Sequence, residues 1–133
     1  MNIREFMVGD WVICQNLCLE DKTKVISSYS TELTLKDFAS YYNGNSEYVN
    51  YEPIPLTKEI LEKNGFVKGE FSWSGYEISE YLFLVPSAES EDHQYELVAS
   101  NATSDIGTDI YISYVHELQR ILKLRGIKKK IIL

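Results

Sequence analysis

His116-Glu117 is the pair of residues in this chain with the most suggestive chemistry. A zinc-protease helix opens with His-Glu, where the glutamate is the general base beside a metal held by two imidazoles. That arrangement needs a second histidine four residues later, on the same helical face. The residue there is Arg120, a cation that would repel zinc, so the motif is broken. His116 alone can still act as a general base, but no nucleophile accompanies it in sequence. The second histidine, His93, lies in the acidic loop Glu91-Asp92-His93, a weak and unspecific metal-binding pattern. Cys14 and Cys18 are too few for a zinc site with both histidines so distant, and they read as reduced thiols on or near a strand. Asp105 and Asp109 lack the Asp-x-Asp spacing of a calcium loop. The seven glycines are scattered and form no phosphate loop, and no Gly-x-Ser-x-Gly elbow occurs. The sequence therefore leads us to expect a non-enzymatic protein with no catalytic residues, no metal and no cofactor.

What remains is surface chemistry suited to binding. His116, Gln119, Arg120 and Lys123 share one polar face of a helix and form the first candidate interaction surface. Trp73 and Tyr76, or the group Tyr41, Tyr42, Tyr48 and Tyr51, offer aromatic rings that could stack nucleic-acid bases. Such platforms normally sit in a basic groove, and here the neighbourhood is acidic, which favours core or protein-interface roles.

Charge sharpens the same point. The chain carries a net charge of −7, and all twenty of its acidic residues lie at or before Glu117. From Arg120 onward come Arg120, Lys123, Arg125, Lys128, Lys129 and Lys130, with no acid among them. An acidic body repels phosphate backbones, so nucleic acid is disfavoured as a partner. The basic end reads as a solvated helix terminus, where cations meet the negative end of the helix dipole, or as a small anion-binding patch.

The elements that must position these residues follow from periodicity. A length of 133 residues with 44% hydrophobic content suits one domain able to bury its own core. Gly9-Asp10 turns the chain into a strand at Trp11–Cys14, and Thr23–Tyr29 and Thr31–Lys36 read as further strands, the latter from alternating Leu33 and Leu35. Asn43-Gly44 between two tyrosine-rich stretches predicts a hairpin or an ordered loop. A break near residue 52 is predicted by Pro53-Ile54-Pro55, followed by a short helix that Thr57 caps and Gly65 ends. Phe71–Ser74, Tyr76–Val85 and Tyr95–Ala99 read as strands, and Ser87–Gln94 and Ser100–Thr108 as loops. A second helix is expected from Ser113 to Arg125, its stripe Val115, Leu118, Ile121 and Leu122, and its stop Gly126. Ile131-Ile132-Leu133 reads as a closing strand. The expected class is α+β: one domain over 1–133, with subdomains 1–52 and 53–133. Its β-rich amino-terminal portion, in the manner of a small SH3-like barrel, packs with a mostly antiparallel sheet and two short helices.

Two phrases carry a family resemblance. Glu52-Pro53-Ile54-Pro55-Leu56-Thr57-Lys58-Glu59-Ile60-Leu61-Glu62-Lys63-Asn64-Gly65-Phe66 resembles the central signature of small phage- and prophage-associated proteins of Bacteroides-type gut bacteria, whose function is unknown. Tyr114-Val115-His116-Glu117-Leu118-Gln119 is similar to the carboxy-terminal helix signature of that family, and Gly9-Asp10-Trp11-Val12 to its opening. The resemblance implies a mobile-element setting and brings no catalytic residues with it.

Together these readings favour an accessory module that acts through a protein partner, with homo-oligomerisation left open. The alternative is a nucleic-acid-directed protein, either a small-barrel binder or an acidic mimic of DNA, and a hydrolase using His116 and Glu117 ranks last. No apolar run reaches the roughly 20 residues of a membrane span, and the start lacks a secretory pattern, so a cytoplasmic protein without membrane contact is expected.

Overall fold

The computed structural model describes residues 3–44, 48–68, 75–87, 94–100 and 105–133. The chain divides into two units, Met1–Ile54 and Pro55–Leu133, with the division at the Pro53-Ile54-Pro55 segment. Both mix helix and antiparallel sheet, and the α+β class holds.

In the first unit a 3-10 turn, Ile3–Glu5, leads to strand β1, Trp11–Leu17. Strand β1 is central: strand β2, Val25–Glu32, pairs antiparallel with one of its edges and strand β3, Val49–Pro53, with the other, in the order β2-β1-β3. Alternation along β1 sends Val12 and Cys14 into a core with Ile3, Phe6, Leu33 and Tyr51, while Phe38, Tyr41 and Val49 pack against it. The sheet is open among the described residues, and no closed barrel forms.

Between β2 and β3 lies helix α1, Leu35–Tyr42, where the sequence suggested strand and hairpin. The local chemistry explains the correction. Thr34-Leu35-Lys36-Asp37 is a capping box: the Thr34 hydroxyl accepts from the Asp37 amide at 3.3 Å, and an Asp37 carboxylate oxygen accepts from the Thr34 amide at 2.7 Å. The apparent alternation of Leu33 and Leu35 therefore spans a helix start. Leu33 is buried and Leu35 is 76% exposed. Asn43 is the C-cap of α1, and Gly44 follows with φ of 78°, so Asn-Gly closes a helix instead of turning a hairpin.

The second unit opens with helix α2, Lys58–Lys63, whose cap Thr57 accepts from the Ile60 amide at 3.3 Å. Four antiparallel strands follow in chain order: β4 Tyr76–Ser79, β5 Leu82–Pro86, β6 Tyr95–Ser100 and β7 Asp105–Ile112. The stretch expected as one strand, Tyr76–Val85, is thus folded at Glu80 and Tyr81, and Tyr81 takes a left-handed φ of 67°. The loop expected over Ser100–Thr108 is shorter, because Asp105–Thr108 already belongs to β7. Helix α3, Val115–Leu124, buries Val115, Leu118 and Leu122. The terminal Ile131-Ile132-Leu133 is not a strand. Ile132 is held instead by the Asn64 side chain, which donates to its carbonyl at 2.8 Å and accepts from its amide at 2.7 Å. The expected strand Phe71–Ser74 and most of the Ser87–Gln94 loop lie outside the described residues.

Candidate functional site

The second unit carries an open cleft of about 430 Å³ between its sheet and one flank of α3. Its floor follows from register. Leu84 faces Leu97 and Leu82 faces Ala99 across β5 and β6, so these four side chains share one sheet face. Leu84 and Leu97 are buried, whereas the small Ala99 beside Leu82 leaves room at the end of the sheet. The far wall comes from Ile121, Leu124 and Arg125, which fall on one flank of the helical path at i, i+3 and i+4. Leu124 is 82% exposed, so its side chain gains nothing from burial within the chain. The turn residues Glu80 and Tyr81 complete the rim.

Tyr81 is a strained feature of this rim. A bulky residue at positive φ is a backbone outlier costing about 1–2 kcal/mol. The ring is exposed, and its hydroxyl donates to the Glu80 carboxylate, which holds the phenol above its ordinary pKa. The walls are otherwise apolar, and a cleft of this size and lining matches the pockets that receive a side chain or a small apolar ligand.

The residues singled out from sequence are distributed differently. His116, Gln119, Arg120 and Lys123 do share a flank of α3, away from the flank that lines the cleft. His116, however, is only 6% exposed, with its ring stacked on Tyr114 at 5.9 Å and 15°. Gln119 and Arg120 are half-buried, and Lys123 alone of the four is exposed. Burial of His116 removes it from the expected surface. Glu117 is also committed: one carboxylate oxygen accepts from the Ser113 and Tyr114 amides at 3.0 Å each, capping the start of α3.

Tyr76, expected on a binding surface, is 1% exposed and donates to Glu62 at 3.1 Å. Burial and that carboxylate push its pKa up to about 12. It belongs to the core. Trp73 and His93 lie outside the described residues. Of the tyrosine group, Tyr51 is buried on β3, its pKa raised to about 12 chiefly by burial. Tyr41 and Tyr42 meet edge to face at 5.5 Å with the Arg4 guanidinium within 5.8 Å of both rings, and Lys22 lies over Tyr48. Cys14 and Cys18 are both free thiols, Cys14 being buried. Among the described residues no three His, Cys, Asp or Glu side chains converge to hold a metal ion. No helix among them is long and apolar enough to cross a membrane.

No family model, curated protein or solved structure matches the chain. Tyr81, Leu82, Leu97, Ala99 and Leu124 were not singled out from sequence. The one available signal was Leu124, an aliphatic residue outside the stripe of its own helix.

Proposed function

We propose that this protein is a non-enzymatic interaction module whose cleft on the Pro55–Leu133 unit receives an apolar side chain of a protein partner. The observation that carries this reading is the cleft itself: an apolar concavity framed by an exposed leucine and a strained tyrosine. Interface anchors of this kind gain most of their energy by filling such a hollow and excluding water from it. The resemblance to phage- and prophage-associated proteins supplies the setting, an accessory protein inside a bacterial cell. The two free thiols suit a reducing compartment. Kinship of the first unit with SH3-like barrels rests on its Gly-Asp-Trp-Val opening and three antiparallel strands. The nucleic-acid-directed alternative draws on the net charge of −7, and burial withdraws Tyr76 as its stacking platform.

The test compares the tagged wild-type chain with Ala99→Phe, which fills the cleft, and with Leu124→Gln, which makes its wall polar. All three are expressed in the native host, and the melting temperatures of the purified proteins are checked. A partner retained by wild type and lost from both variants supports the reading. Equal retention by all three defeats it.

A further inference from the structure

The three-stranded sheet of the first unit presents one open strand edge. β2 pairs with β1 on one side, and no strand pairs with its other edge among the described residues. The Leu33 amide donates to the Asp10 carbonyl at 2.9 Å, and the antiparallel register puts Thr31, Tyr29 and Ser27 at the same two-residue period. The backbone groups of those residues face β1, so the amides and carbonyls of Ser28 and Ser30 face away from it. A bulge shifts the register beside Val25, but from Ser27 to Glu32 the ladder is regular. Residues 25–30 are all exposed, Ile26 at 67% and Tyr29 at 53%.

The other outer strands carry devices that blunt an edge. β3 contains Glu52 and ends at Pro53, which has no amide hydrogen to donate. β4 is bridged by Lys68 at Tyr76. β7 carries Asp105 and Asp109, and its ladder is broken opposite the step from Glu96 to Val98. Residues 25–31 of β2 include no charge and no proline. An edge of that kind is a template for another strand.

We propose that this edge binds the same edge of a second copy of the chain, antiparallel about a two-fold axis, so that two three-stranded sheets become one. The proposal does not rest on the cleft of the other unit. The two-fold sets outward-facing backbone groups opposite each other, so Ser28 and Ser30 of each copy exchange hydrogen bonds with the other. It also sets the hydroxyl-rich run Ser27, Ser28, Ser30 and Thr31 against itself, a like-with-like pairing that favours Ser and Thr across strands. Charge fits the same occupant. Two copies at −7 repel over most of their surface, and residues 25–31 give them an uncharged line of contact. Glu32, the one charged residue of β2, stands at its end, so antiparallel pairing carries the two carboxylates far apart. Each then lies near the turn Glu20-Asp21-Lys22-Thr23-Lys24, whose two acids and two lysines balance. Parallel pairing would set Glu32 against Glu32.

Sedimentation velocity of the full-length chain over a concentration series tests this. Wild type is expected to pass from monomer to a dimer of twice the chain mass as concentration rises. Ser28→Pro removes an outward-facing donor and leaves the β1 ladder its hydrogen bonds, and Ser30→Lys places two like charges near the axis. Each should raise the dimer dissociation constant at least about tenfold. Ser30→Lys should melt like wild type at concentrations where both are monomers, which puts the loss in association. A wild type that stays monomeric at every concentration overturns the proposal. So does a dimer that both variants form as tightly as wild type. A dimer abolished by Ala99→Phe and spared by Ser30→Lys also overturns it, by placing the interface at the cleft. A monomeric wild type that retains a host protein lost from Ser30→Lys makes the occupant a foreign strand and overturns the second copy.

Discussion

At the scale of single residues, the most informative side chains are tyrosines in unlike environments. Tyr51 and Tyr76 are buried, and burial raises both phenols to about 12 from an ordinary 10.0. Their folded pKa lies above the unfolded one, so the stabilisation is fully present below pH 10 and is lost as pH climbs toward 12. Denaturant melts across that window should lose about 1.4 kcal/mol per pH unit for each such tyrosine. Tyr51→Phe and Tyr76→Phe should each flatten that slope. A slope unchanged in both variants would contradict the burial described. Cap residues act at the same scale. Thr34→Ala removes the hydroxyl that accepts from the Asp37 amide and should cost about 1 kcal/mol in a urea melt, with a small loss of helical dichroism. That cap was legible in Thr34-Leu35-Lys36-Asp37, and it was obscured by the two leucines that imitate strand alternation.

At the scale of elements, the second and third helices end by the same device. The Phe66 amide donates to the Leu61 carbonyl at 3.0 Å and the Gly65 amide to Glu62 at 3.0 Å. In α3 the Ile127 amide reaches Leu122 at 2.8 Å and the Gly126 amide reaches Lys123 at 3.1 Å. Both glycines hold positive φ, 81° and 69°, as this helix stop requires. The shared Ile-Leu-x-x-x-Gly spelling made both ends readable from sequence. Gly126→Ala meets no neighbouring atom within 4 Å, so its cost should be conformational only, about 1 kcal/mol by thermal melt. Leu118→Ala, in contrast, opens a hole at a fully buried position of α3 and should cost about 2–5 kcal/mol. Other elements were not legible. The fold at Glu80-Tyr81 carries none of the Gly, Asn or Pro signals that mark turns, because tertiary pairing of β4 with β5 forces Tyr81 into its strained conformation. Asn43-Gly44 did carry a turn signal, but the same pair serves as readily to close a helix.

At the scale of the whole molecule, two units divide the chain at Pro53-Ile54-Pro55, and the cleft lies within the second. Its composition was visible in sequence, yet its location was not. A cleft depends on which small residue meets which large one across strands, and the meeting of Ala99 with Leu82 is set by a register that local pattern does not reveal. Helix periodicity correctly grouped His116, Gln119, Arg120 and Lys123. It could not show that the ring of His116 stacks on Tyr114 and is buried, while the opposite flank stays open at Leu124. Binding at the cleft is most directly tested by amide NMR spectra of the full nitrogen-labelled chain, recorded with and without the partner that the wild-type protein retains. Partner binding at the cleft should concentrate the shifts at Tyr81, Leu82, Ala99, Leu124 and Arg125. Shifts confined to Gln119 and Lys123, or to Arg4, Tyr41 and Tyr42, with the cleft signals unmoved, would contradict it.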